Sequence, residues 1–234
     1  MIYLDNAATT FPKPKSVYKS VMEAMTKYGA NPGRGSHAMA IEGARVIYET
    51  RELIAQLFNF SDPLKVIFTS NATDSLNLAI KGILKPGDHV ITTSMEHNSV
   101  LRPIFELEKY GIENTIIQCD KQGLIRIEDI FNKIKENTKL IITTHVSNLS
   151  GTIFPIKEVG EICKKNEILY LVDAAQSAGV LNVDLKNMNI DLLAFPGHKG
   201  LLGPQGTGGL IINNNLVLDQ LKEGGTGSKS SSVY

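Results

Sequence analysis

The sequence predicts an α/β domain built on a mostly parallel sheet of seven strands, with helices on both faces. Short apolar runs rich in β-branched residues recur along the chain, separated by stretches of helical length. Several of these runs are apolar throughout rather than alternating, as strands covered on both faces require. Repetition of strand, helix and strand joins parallel neighbours in one sheet.

Taken in order, two helices open the chain, near 14–28 and 39–58. The segment 29–35 between them (GANPGRG) is rich in Gly and Pro and reads as a loop. The strand-like runs are KVIFTS (65–70), HVITTS (89–94), NTIIQC (114–119), KLIITTHV (139–146), ILYLVD (168–173), DLLAF (191–195) and TGGLIIN (207–213). Helices are expected near 72–84, 97–110, 126–136 and 155–166. Residues 1–30 read as an N-terminal segment and 31–234 as one large domain. The last eleven residues, GGTGSKSSSVY (224–234), are small and polar, and no second domain follows the seventh strand.

The 234 residues suit one large domain that buries a core without staples. Lys and Arg number 24, and so do Asp and Glu, so no net field attracts nucleic acid or an anionic membrane. Selectivity must come from a local site. The two cysteines, Cys119 and Cys163, lie in an apolar run and a helical pattern, where packing is their plain role, and they lack metal-ligand spacing. No metal is expected. The opening MIYLDNAATT carries no signal peptide, and no apolar run is long enough to span a membrane, so a cytoplasmic protein is expected.

In an open parallel sheet, ligands bind beyond the carboxyl ends of the strands. The first strand ends at SNAT (70–73), where a helix starts. Its free N–H groups can hold a phosphate, with the Thr73 hydroxyl in support, or the motif is simply a helix cap. The second ends at MEHNS (95–99), where His97 would stack on a planar ring, act as a general base, or serve structure alone. The fourth ends at HVSN (145–148), where Asn148 would bond a ligand or shape a turn. The fifth ends at VDAAQ (172–176). Asp173 there is costly unless a cation pairs with it, or it is a helix cap. The sixth is followed at once by PGHKG (196–200). Lys199 sits in a Gly-rich turn against apolar walls, which lower its pKa and free the amine as a nucleophile. His198 beside it can donate to a phosphate. A surface loop is the plainer reading of that lysine alone. Together these residues offer a phosphate cradle, a stacking imidazole, an anion for a ring nitrogen and a nucleophilic amine. Those are the needs of pyridoxal 5′-phosphate.

VDAAQ followed by GHKG, preceded by SNAT, EHNS and HVSN, resembles the class V aminotransferase family, and its cysteine desulfurase branch in particular. LDNAATT (4–10) and NPGRGSH (31–37) are similar to the same branch. The resemblance runs from Tyr3 to about Ser228. It implies the large domain of a fold type I transferase that works as a homodimer with L-cysteine or a related amino acid. It implies Lys199 as the Schiff-base lysine that also moves protons, and His97 as the ring-stacking catalytic partner. Asp173 then pairs with the ring nitrogen, and Gln176 and Asn148 support the ring and its hydroxyl. Ala72, Thr73 and His198 hold the phosphate, while Asn6, Ala7 and His37 lie near the substrate. In the implied reaction, cysteine displaces Lys199, its Cα proton is removed, and a thiolate takes the sulfur, leaving alanine and an enzyme persulfide. A sulfur-acceptor protein is a further implied partner.

The sequence departs from the family pattern in places. Ala72 stands where many relatives have Thr, and Pro196 where many have Ser, which removes a hydroxyl and an N–H from the phosphate site. The acceptor cysteine, the carboxylate-binding arginine and the Gly-Thr loop of desulfurases have no counterpart here, so the chain reads as truncated, with its own turnover in question. Other readings are a different class V activity, such as selenocysteine lyase or transaminase, and an inactive cofactor-binding chain. A nucleotide-binding tail at GGTGSKSS (224–231) fails the P-loop spacing, because position 223 is Glu and 228 is Ser.

Overall fold

A computed structural model describes residues 2–33, 35–213 and 216–224. Most of the Gly-rich tail, including its Lys229–Ser230 pair, lies outside the described residues. Helices α1 (Lys15–Lys27) and α2 (Ala38–Leu57) come first. Then follow β1 (Val66–Thr69), α3 (Ala72–Ile83), β2 (His89–Thr93), α4 (Asn98–Glu108), β3 (Glu113–Ile117) and α5 (Ile127–Phe131). The chain continues through β4 (Thr138–Thr144), α6 (Ile156–Lys165), β5 (Leu169–Asp173), β6 (Leu192–Pro196) and β7 (Gly208–Ile212).

The seven strands form one sheet in the order β1-β7-β6-β5-β4-β2-β3. Strand β7 runs antiparallel to both neighbours and the other pairings are parallel, so the expected mostly parallel sheet is observed. Alternate side chains of each strand point to opposite faces. Ile141, Tyr170, Val172, Leu193 and Ile211 pack with α2, α5 and α6 on one face. Leu140, Ile142, Leu171, Leu192 and Leu210 pack with α3 and α4 on the other. Every residue of β2, β6 and β7 is buried, which accounts for the unbroken apolar character of β6 and β7.

The helix expected over 126–136 is shorter than its pattern. Only Ile127–Phe131 is α-helical, and Ile130 is its one buried residue. The following N–H groups of Lys133 and Ile134 bond three residues back, to Ile130 and Phe131, so the chain tightens into turns. Helix α1 is the other exception to close packing, because it buries none of its side chains.

Candidate active site

The carboxyl ends of β4, β5 and β6, the first turns of α3 and α4, and Asp5, Ala7 and Ala8 line a cavity of about 310 Å³. Local sequence explains the approach of each wall. Asn71 caps α3 by accepting the Asp74 N–H at 2.8 Å. The first N–H groups of any helix have no partner within it, and here Ala72 and Thr73 line the cavity. His97 caps α4 in the same way. Its Nδ1 accepts the Ser99 N–H at 3.1 Å and meets the Ser99 hydroxyl at 2.7 Å, which fixes the ring. Asp173 closes β5, and its Oδ1 accepts the Ala175 N–H at 2.9 Å.

The turn after β6 depends on its glycines. A Cβ on Gly197 would lie 2.3 Å from Thr207 Oγ1, and one on Gly200 would lie 2.4 Å from the Ala178 carbonyl oxygen. Only hydrogen fits at either place. The turn can therefore press against its neighbours, with His198 and Lys199 between the two glycines lining the cavity.

The electrostatics of this pocket are unbalanced. Burial pushes the Asp173 carboxyl above its usual range, a shift opposed by the Ala175 N–H and by His97 and Lys199. Burial also pulls the Lys199 amine below its usual range, opposed by Asp173. For both groups desolvation is the larger effect. Among the described residues neither takes part in an ion pair. His198 is held more acidic than usual by burial, with Lys199 and Lys13 adding to the shift.

Of the residues singled out in the sequence, Ala7, Ala72, Thr73, His97, Asn148, Asp173, Gln176, His198 and Lys199 line this one cavity. Gln176 also donates through Nε2 to the Ala7 carbonyl at 3.2 Å, tying the opening segment to the site. Asn6 and His37 are not part of the lining. Asn6 turns back on its own loop, where Oδ1 accepts the Phe11 N–H at 3.1 Å. His37 is the exposed residue before α2.

Sequence reasoning missed two features. Glu96, next to His97, is buried. Its Oε1 accepts the Thr93 hydroxyl at 2.7 Å, while Oε2 has no partner among the described residues. Burial pushes its carboxyl up to about 8; the Thr93 hydroxyl and the Thr144 backbone oppose this, and Asp173 adds to it. The signal was a glutamate inside MEHNS, but its burial depends on tertiary packing. The second feature is Thr9, Thr10 and Lys13, which bond to the lysine turn. No local signal links residues so far apart in the chain.

The chain matches the class-V aminotransferase family over residues 2–233. A probable cysteine desulfurase of Methanothermobacter thermautotrophicus is 37% identical over 96% of this chain and 56% of its own length. A cysteine desulfurase IscS of Shewanella sediminis is 39% identical over 96% of this chain and 57% of its own. Among solved structures, SspA in complex with cysteine superposes with a TM-score of 0.90 at 36% identity, covering 96% of this chain and 65% of that one. The apo cysteine desulfurase from Thermococcus onnurineus NA1 gives 0.85 at 38% identity, covering 91% and 53%. The chain thus spans little more than half the length of the curated relatives it matches, and shares their fold type I architecture. With the motifs in their family order and the fold the same, this chain belongs to the class-V aminotransferase family.

Proposed function

We propose that this chain binds pyridoxal 5′-phosphate in the 310 Å³ cavity and provides the cofactor-binding part of a cysteine desulfurase-like transferase. One observation carries the reading. A buried carboxylate and a half-buried amine share one pocket with no ion-pair partner among the described residues, and the start of α3 forms another wall. This donor set fits the cofactor. Asp173 meets a protonated ring nitrogen, Lys199 meets the aldehyde, and His97 lies against the ring. The N–H groups of Ala72 and Thr73, the Thr73 hydroxyl and His198 hold the phosphate. Asn148 and Gln176 would flank the ring hydroxyl, and Ala7 would border the amino-acid substrate; Asn6 and His37, outside the lining, are given no part in it.

When bound, the cofactor supplies an electrophilic carbon and an electron sink for the charge released at the substrate Cα. The chain's own residues do the rest. The low basicity of Lys199 leaves more of its amine unprotonated and nucleophilic near neutral pH. The same amine then takes and returns the proton at the substrate Cα. Asp173 would keep the ring-nitrogen proton in place. Transfer of sulfur requires a thiol acceptor. Cys163 is buried in the core, where burial raises its pKa, and Cys119 is not among the residues lining the cavity, so on this reading the acceptor belongs to another segment or a partner protein. L-cysteine is the substrate this reading favours, supported by the relatives' names and by the cysteine complex of a structural neighbour. On this reading the full-length form works as a homodimer, and a cytoplasmic location would keep the two free cysteines reduced.

Adding pyridoxal 5′-phosphate is expected to produce an absorbance band near the visible edge and a borohydride-trapped adduct on Lys199. Lys199→Ala is expected to abolish both; if the variant keeps the band and the adduct, the assignment fails. Assay of the longest natural form with cysteine then separates the reactions, because alanine without sulfide points to another class V activity.

A further inference from the structure

Four hydrogen bonds from one short stretch of chain converge on one carbonyl. The His198 oxygen accepts the Thr10 N–H at 3.1 Å, the Thr9 hydroxyl at 3.2 Å, the Thr10 hydroxyl at 3.1 Å and the Lys13 ammonium at 2.6 Å. The Thr10 hydroxyl is shared with the Lys199 carbonyl at 3.3 Å and also accepts from Lys13. His198 Nδ1 lies 3.0 Å from the Thr9 hydroxyl. A carbonyl oxygen has two lone pairs, so this crowd exceeds what satisfying one acceptor needs. Lys13 adds the charge-assisted bond, the strongest kind in the set. The peptide held this way joins His198 to Lys199.

We infer that residues 9–13 form a latch on the lysine turn, with Lys13 as its charged end and a positioning residue for the Lys199 amine. The inference deepens the proposed function, since it rests on Lys199 being the reactive amine. Lys199 stays partly withdrawn from solvent only while its turn is pressed inward. The flanking glycines that let the turn pack tightly also leave it without side-chain friction of its own. Held through its carbonyl, the turn keeps the amine facing Asp173, with His97, His198 and Asp5 as the other titratable groups on the cavity wall. Released, the amine samples water and becomes more basic.

The test uses the full chain before any cofactor is added. Acetylation of Lys199 by acetic anhydride is followed against pH by mass spectrometry, with Lys157 as an internal reference. Deuterium exchange across residues 196–203 is measured in parallel. Lys13→Met is expected to move the Lys199 labelling midpoint to higher pH and to speed exchange of the turn about tenfold, the size of one charge-assisted bond. Lys13→Arg, which keeps a cationic donor, recovers a good part of both. Thr10→Val shifts both in the same direction as Lys13→Met, and serves if the latter does not fold. The latch is overturned if Lys13→Met and Thr10→Val leave midpoint and exchange at wild-type values, or if the Arg and Met variants behave alike. Because no cofactor is present, these results stand apart from the appearance of the absorbance band. A failed latch leaves the cofactor reading intact, whereas a failed cofactor reading would remove the purpose of the latch but not its labelling and exchange results.

Discussion

Glu96 and Asp173 make the protein's stability depend on pH in an uncommon direction. Both carboxyls are raised by burial, so the folded chain holds their protons more tightly than the unfolded chain. Stability from Glu96 is therefore complete below its usual value of 4.5 and is lost as pH rises toward about 8. A fully buried carboxyl can shift stability by roughly 2–4 kcal/mol over such a window. Glu96→Gln keeps the shape and removes the titration. Urea midpoints measured from pH 5 to 8 should fall for the wild type and fall much less for the variant; equal slopes would remove Glu96 from the account. Asp173→Asn should likewise hold or raise stability without cofactor at pH 7, yet release pyridoxal 5′-phosphate at least tenfold faster in a dissociation assay. Asp173 was legible in the sequence as a charge closing an apolar run, and Lys199 as an amine in the Gly-rich turn that follows one. Glu96 was not, because nothing in MEHNS says which of its polar side chains turns inward.

Among the elements, α6 shows packing overruling local preference. Gly160 lies inside this helix, where Ala would ordinarily gain about 1 kcal/mol. A Cβ there would fall 1.9 Å from the Met188 carbonyl oxygen, so the helix must move away from the 184–189 loop. Overpacking of that kind costs about 1–3 kcal/mol or more. Gly160→Ala should therefore lower the thermal midpoint, and a raised midpoint would show that the loop yields freely. At α3, Asn71→Ala should cost about 1 kcal/mol through the lost cap, measured by denaturant unfolding. The long helices were legible from their apolar period. Helix α5 was not, because its residues fit a helix while the protein buries only Ile130 from it.

At the scale of the molecule, the alternation of strands and helices was legible, but the order of the strands was not. Adjacency of β1 and β7 depends on pairing between segments far apart in sequence, which no local pattern encodes. The same scale exposes an apolar groove of about 380 Å³ in which Leu53 and Leu57 of α2 meet Phe68 and Leu201. Leu53 is 65% exposed and Leu57 49%, an unusual display for a lone chain. A second copy seated there fits the homodimer of the proposed function. Sedimentation of the chain at micromolar concentration should give a dimer, and Leu53→Asp with Leu57→Asp should give a monomer of unchanged circular dichroism. A wild-type monomer would leave the groove to another occupant.

Strand β1 pairs only with β7, which lies roughly 140 residues further along. On a ribosome adding 5–20 residues each second, β1 leaves the exit tunnel roughly ten seconds before that mate exists. Until then one edge of β6 also stands bare and open to chaperones. Strand β7 must slide between two that are already made. Residues 197–207, the link from β6 to β7, hold Lys199. Closing the sheet and shaping the lysine turn are thus one late event, and a nascent chain stalled before it has neither.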